Sequence, residues 1–229
     1  MTQYYQNIIE FIPRLIWVVS SSCYFNKMIC LILFISFLVS YLIGSIPTGY
    51  WFAKYFFNTD ITERGSGNIG ASNIGRVLGK KYFALVFLID FLKAFLALYV
   101  IGMIAGWVEF EHAYTQKILI FNALALLLGN AYSVFLKFKG GKGVATTAGI
   151  LACLFPFKLL LVFCGLWLLV LVITYKPVIA SLFAAYISCA VYYFVFLDKT
   201  NNNLFYFLIF VCIWVTFRHI VNIQKMLKK

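Results

Sequence analysis

Apolar residues fall in long blocks separated by short polar stretches. The blocks cover residues 28–43, 82–105, 118–136, 144–157, 159–175, 177–197 and 204–217. Most reach or approach the roughly 20 residues that a helix needs to cross a bilayer core. None alternates as a lipid-facing β-strand would, and only helices and closed barrels satisfy their backbone in lipid. The block at 144–157 is short at about 1.5 Å of rise per residue, and is expected to be tilted, thinly covered or partly buried by neighbours. The pattern predicts an all-α integral membrane protein with seven transmembrane helices, forming one domain over residues 28–229. Residues 1–27 stand apart as an N-terminal extension. Their apolar stretch at 8–19 is interrupted by Pro13 and Arg14, and no basic segment precedes it of the kind that opens a signal peptide. It reads either as an interfacial segment or as residues upstream of a translation start at Met28.

Composition agrees: 64% of residues are hydrophobic and 11% charged, which excludes a soluble domain. The net charge of +12 would suit a nucleic-acid partner, but its distribution follows the membrane, so no nucleic acid is expected. With the loop after the first block inside, the inside segments hold Lys54, Arg64, Arg76, Lys80, Lys81, Lys137, Lys139, Lys142, Lys176, Arg218, Lys225, Lys228 and Lys229. The opposite loops hold Lys117, Lys158 and Lys199. That asymmetry predicts a cytoplasmic C-terminus. The six cysteines form no CxxC pair, and all but Cys23 lie in apolar blocks, where cysteine acts as a small hydrophobe. Neither disulfides nor a metal site is expected.

Chemistry is concentrated in three polar clusters on the inside face. One runs Gly44-Ser45-Ile46-Pro47-Thr48-Gly49 and resumes as Arg64-Gly65-Ser66-Gly67-Asn68-Ile69-Gly70-Ala71-Ser72-Asn73. The second is Gly129-Asn130 followed by Lys137-Phe138-Lys139-Gly140-Gly141-Lys142-Gly143-Val144-Ala145-Thr146-Thr147. The third is Arg218-His219-Ile220-Val221-Asn222-Ile223-Gln224-Lys225. Glycine lets backbone N–H groups approach an anion, and the lysines add charge where the chain leaves the membrane, so the second cluster reads as a phosphate cradle. His219, Asn222 and Lys225, spaced i, i+3 and i+6, would share one face of a continuing helix. Residues 65–70 spell GxGxxG, but a membrane helix rather than a strand precedes them, which rejects a dinucleotide site. Gly143 follows Lys142 where a P-loop requires Ser or Thr. Asp90 and Lys93 lie at i and i+3 inside an apolar block, and an internal ion pair is favoured over a direct catalytic role.

In this order, the segments GSIPTGY, GSGNIGASN, FLKFKGGKGVAT and HIVNIQK resemble the PlsY family of acyl-phosphate-dependent glycerol-3-phosphate acyltransferases, from about Met28 onward. The resemblance implies a seven-helix enzyme of the bacterial cytoplasmic (inner) membrane, with its active site facing the cytoplasm. Such an enzyme moves an acyl chain from acyl-phosphate to the 1-hydroxyl of glycerol 3-phosphate, giving lysophosphatidic acid and phosphate in phospholipid synthesis. The sequence departs from the family's pattern at Thr62, where an arginine is usual, at Asn130, where histidine is usual, and at Lys225, where arginine is usual. The family's following glutamate has no counterpart before Lys229.

Carried onto this sequence, the resemblance implies His219, Asn222, Ser45 and Lys142 as catalytic residues. It implies substrate binding by Arg64, Gly65, Ser66, Gly67, Asn68, Asn73, Lys139, Gly140, Gly141, Gly143 and Thr146. His219, oriented by Asn222, would take the hydroxyl proton; alternatively the donor's own phosphate takes it. Acyl-phosphate is a mixed anhydride, so no enzyme nucleophile is required. The expected partners are the two substrates and membrane lipids, with a monomer working without metal or cofactor. Two other readings remain: a catalytically impaired relative with a structural or lipid-binding role, and an organic-anion or phosphate transporter. The latter calls for several charges near mid-membrane, where only Asp90 and Lys93 qualify.

Overall fold

The structure, a computed structural model, describes residues 29–107, 112–197 and 202–227, so the expected extension at 1–27 lies outside the described residues. The chain divides into two compact units between Leu38 and Val39. The described part of the first is the opening of helix α1 (Ile29–Ser45), where Ser36 Oγ donates to Leu33 O at 2.9 Å.

Among its described residues, the second unit holds the rest of α1 and eight further helices. These are α2 (Thr48–Phe57), α3 (Ala71–Val77), α4 (Lys80–Trp107), α5 (His112–Ala131), α6 (Val144–Leu154), α7 (Phe157–Thr174), α8 (Pro177–Val191) and α9 (Asn203–Leu227). A 3₁₀ turn at Val134–Leu136 follows α5, and a π turn at Tyr192–Phe196 closes α8. Each apolar block became a helix. The helices α2 and α3 arose within stretches read as polar loop. Pro47 separates α1 from α2, which bend by 41°, because proline has no N–H to continue the helical ladder. Tyr175 in the left-handed region ends α7, and Pro177 opens α8, where its missing N–H costs nothing.

Among the described residues, five helices are long and apolar enough to cross a membrane, or six if α1 and α2 count as one bent span. Their outer faces remain apolar: Leu168 is 57% and Ile173 67% exposed, as a lipid-facing surface requires. Helix α6 differs. Its 11 residues rise only about 16 Å, against a hydrocarbon core of about 30 Å, and every residue from Ala145 to Leu151 is buried. The expectation that neighbours bury this block is met.

Small residues set the helix spacing. A Cβ on Gly149 would overlap Phe91 O of α4, and one on Gly44 would overlap Leu126 O of α5. A Cβ on Gly129 would overlap Tyr41 O of α1. Such backbone approach lets helices associate without a hydrophobic driving force. Around these crossings lies one apolar core that includes Leu98, Leu126, Leu127, Ile150, Leu151 and Leu159. Between α1 and α5 the buried Ser40 Oγ donates to Asn122 Oδ1 at 2.9 Å.

The expected ion pair forms, with Lys93 Nζ 2.7 Å from Asp90 Oδ1. It also spans the α1–α2 break. Lys93 donates to Ile46 O at 2.8 Å and Gly44 O at 3.3 Å, while Thr48 Oγ1 donates to Asp90 Oδ1 at 2.9 Å. The cation thus meets the C-terminal carbonyls of α1 and the anion meets the first residue of α2, the arrangement that helix dipoles favour.

Candidate active site

The polypeptide between α2 and α3 is held by one buried amide. Asn73 Oδ1 accepts from Ser66 N at 2.8 Å, while its Nδ2 donates to Arg64 O at 2.9 Å and Ile61 O at 3.2 Å. Gly65, at φ +62°, leaves room for this amide, since a Cβ there would overlap Asn73 Oδ1. Asn68 Oδ1 accepts from Gly70 N at 2.8 Å and so turns the chain into α3. Further out, Thr62 donates to Asp60 Oδ1 from its hydroxyl (2.6 Å) and its N–H (2.9 Å). These two bonds hold the exposed Asp60 carboxyl below the ordinary carboxylate value.

The lysine–glycine loop is fastened to the end of α5. Gly141 N donates to Asn130 O at 2.8 Å, and a Cβ on Gly140 would overlap the same carbonyl. Arg218 of α9 closes the loop from the other side, its Nη2 donating to Gly141 O at 2.7 Å and Ala131 O at 3.3 Å. Its guanidinium lies 5.2 Å from the centroid of the Tyr132 ring. With these carbonyls engaged, Gly143 (φ +80°) leads into α6, whose first turn has neither a capping side chain nor an acidic residue. A helix start of this kind presents unpaired N–H groups and the positive end of its dipole.

The polar side of one cavity of about 110 Å³ is built by four segments. The α1–α2 break contributes Ile46, Pro47 and Thr48, and the α2–α3 segment contributes Ser66, Asn68 and Asn73. The glycine loop and α6 contribute Gly141, Lys142, Gly143 and Thr146, and α9 contributes His219 and Asn222. His219 is 3% exposed, and its Nδ1 lies 2.8 Å from Val215 O. A carbonyl only accepts, so Nδ1 carries the hydrogen and Nε2 of the neutral ring keeps its lone pair. One wall is apolar: Phe83 stacks on Trp167 with centroids 6.0 Å apart and planes within 7°. Trp167 Nε1 donates to Ser181 Oγ at 3.1 Å.

The structure thus brings together nine of the expected site residues and leaves six outside the cavity lining: Ser45, Arg64, Gly65, Gly67, Lys139 and Gly140. Ser45 is buried at the α1–α5 crossing, where its carbonyl accepts from Ser133 Oγ. Arg64 and Lys139 are exposed. Gly65, Gly67 (φ +71°) and Gly140 shape the backbone. Asn73 reaches the cavity, but its amide is committed to the loop. The Lys225 side chain lies outside the described residues. Sequence reasoning missed Arg76, which lines the cavity three residues after Asn73 on α3; reading 71–77 as a helix would have found it. Asp90, Asn130 and Trp167 also line the cavity, and of these Trp167 left no signal in its uniformly apolar block. Among the described residues no three His, Cys, Asp or Glu side chains come together as metal ligands would.

The family model described as glycerol-3-phosphate acyltransferase matches residues 34–229. A glycerol-3-phosphate acyltransferase of Fusobacterium nucleatum is 34% identical over 85% of this chain and 94% of its own. Glycerol-3-phosphate acyltransferase 2 of Thermotoga maritima is 36% identical over 83% and 90%. The crystal structure of PlsY (YgiH), an integral membrane glycerol 3-phosphate acyltransferase, superposes in its glycerol 3-phosphate form with a TM-score of 0.73. It is 32% identical over 86% of this chain and 92% of that one. Its lysophosphatidic acid form gives a TM-score of 0.71. With its long apolar helices, the protein is a multi-pass bacterial membrane protein, and the chain belongs to the glycerol-3-phosphate acyltransferase family.

Proposed function

We propose that the protein transfers an acyl group from acyl-phosphate to the 1-hydroxyl of glycerol 3-phosphate, releasing phosphate and lysophosphatidic acid for phospholipid synthesis. The observation that carries this reading is the meeting of an uncapped α6 N-terminus, Lys142 and Arg76 with His219 and Asn222 around one cavity. The cationic side suits the phosphates of both substrates. The Phe83–Trp167 wall suits the start of an acyl chain.

The 1-hydroxyl oxygen bonds to the acyl carbonyl carbon, and the bond from that carbon to the phosphate oxygen breaks, the electron pair leaving with phosphate. Lys142 and the N–H groups at the start of α6 stabilise the charge that grows on the leaving group. Asn68 and Ser66 position the acceptor, and Asn73 holds the loop that carries them. His219 Nε2 takes the hydroxyl proton, with Asn222 one helical turn away orienting it. The departing phosphate is the alternative proton acceptor. Arg76, which lines the cavity where Arg64 does not, supplies the guanidinium contact to phosphate.

In this reading the chain crosses the membrane seven times, the bent α1–α2 pair counting as one crossing and α6 as another. The cavity and the C-terminus face the cytoplasm, as the basic-residue asymmetry supports. Residues 28–229 act as one functional unit, a monomer among membrane lipids, with no metal or nucleotide in the reaction.

The test is phosphate release by purified protein from palmitoyl-phosphate, with and without glycerol 3-phosphate. Release is expected to require the acceptor and to be lost in Lys142→Ala. Acceptor-independent release, or full turnover by Lys142→Ala, would sink the reading.

A further inference from the structure

Two buried side-chain oxygens in the cavity have no hydrogen-bond partner. Asn130, at the end of α5, is 9% exposed, and its Oδ1 is unpaired. Thr146, in the first turn of α6, is fully buried, and its Oγ1 is unpaired as well. Both line the cavity. Buried polar groups are ordinarily satisfied, so these two mark a place for a ligand that donates to the Asn130 amide oxygen and accepts from the Thr146 hydroxyl. Of the polar groups on the two substrates, ionised phosphate and the acyl carbonyl only accept. The hydroxyls of glycerol 3-phosphate alone do both.

The chemistry also separates the two hydroxyls. The 1-hydroxyl must lose its proton, and a neutral carboxamide is no base. A hydroxyl bound to Asn130 keeps its proton, which is what the spectator 2-hydroxyl requires. Asn130 Oδ1 lies under the glycine loop, 3.2 Å from where a Cβ on Gly141 would stand and 3.5 Å from one on Gly143.

We propose that the Asn130 carboxamide, with the Thr146 hydroxyl, holds the secondary hydroxyl of glycerol 3-phosphate and so selects the acceptor. This rests on the acyl-transfer reading above. It gives Asn130, a departure from the family's usual residue, a role in specificity.

The test compares kcat/KM for glycerol 3-phosphate and for 3-hydroxypropyl phosphate, which keeps the primary hydroxyl and the phosphate but lacks the secondary hydroxyl. Palmitoyl-phosphate is the donor, and wild type, Asn130→Leu and Thr146→Val are measured as full chains in nanodiscs. Wild type is expected to prefer glycerol 3-phosphate by about tenfold or more. Asn130→Leu is expected to bring the ratio to within about twofold of unity, by losing rate with glycerol 3-phosphate and little with the deoxy acceptor. A purely structural role would lower both rates equally and leave the ratio intact, which would overturn the proposal. A wild-type ratio near one overturns it without any variant. If Asn130→Leu does not fold, Thr146→Val carries the comparison, and an unchanged ratio there overturns the paired role. Transfer to neither acceptor would refute the acyltransferase reading itself, whereas transfer without preference refutes only this one.

Discussion

Replacing Lys93 by methionine keeps most of the side-chain volume and removes one buried charge. The ammonium it deletes is 2.7 Å from Asp90 Oδ1, 2.8 Å from Ile46 O and 3.3 Å from Gly44 O. The two side chains are 9% and 10% exposed, so solvent screens the pair little. Lys93→Met would leave the buried Asp90 carboxyl without its cation, with the Thr48 hydroxyl still donating to it. Stranding one member of a buried pair costs about 3–5 kcal/mol. Removing the second charge as well, in Asp90→Asn/Lys93→Met, should recover most of that loss. A residue of about 1–2 kcal/mol should remain, because the α1 carbonyls still lack their donor. The assay is an unfolding titration in mixed micelles on wild type, both single variants and the double variant, closed as a double-mutant cycle. Single-variant losses that simply add in the double variant would refute the claim that the two charges act as one unit across the α1–α2 break.

Arg76→Lys should raise the KM for glycerol 3-phosphate about tenfold, because an ammonium cannot reproduce a bidentate guanidinium contact. Arg64→Lys should leave KM within about twofold, and steady-state kinetics showing the reverse order would return the phosphate contact to Arg64. Asn73→Ala should destabilise the protein by about 1–3 kcal/mol, since its amide makes three hydrogen bonds to loop backbone; unchanged thermal unfolding would show that the α2–α3 segment is held by something else. Gly140→Ala should lower kcat with every Lys142 contact chemically intact, because the added Cβ overlaps Asn130 O and lifts the loop off α5. Wild-type kcat would mean that the loop tolerates the shift.

Helix positions were legible because lipid demands long apolar runs, and seven blocks gave seven helices. Helices α2 and α3 were not legible, because both are short and lie among the glycines and polar residues of a stretch read as loop. The glycine-rich segments and the His219–Asn222 pair were legible as a site because most of the chain's glycines gather there and His219 is one of two histidines. What one sequence cannot separate is a glycine that admits a ligand from one that admits another part of the protein. Gly65 and Gly140 have the second role: one makes room for Asn73 and the other lets the loop lie on α5. Ser45 was drawn in by its neighbours in the motif, yet its position faces the α1–α5 crossing. Arg218 was counted only for its charge; its hydrogen bonds to loop carbonyls depend on a tertiary approach of α9 to α5.

The short length of α6 bears on how the protein is made. A segment rising about 16 Å is too short to insert by itself, and its buried first turn leaves N–H groups that lipid would not solvate. It therefore enters the bilayer as part of a hairpin with α5 or α7, and settles only once α4 offers the surface on which Gly149 meets Phe91 O. The uncapped end of α6 is expected to take shape at that late step, with the cavity forming after the long helices are in the membrane. Bulky substitutions at Gly149 would accordingly show up first as protein cleared by quality-control proteases during biogenesis, before any defect in turnover could be measured.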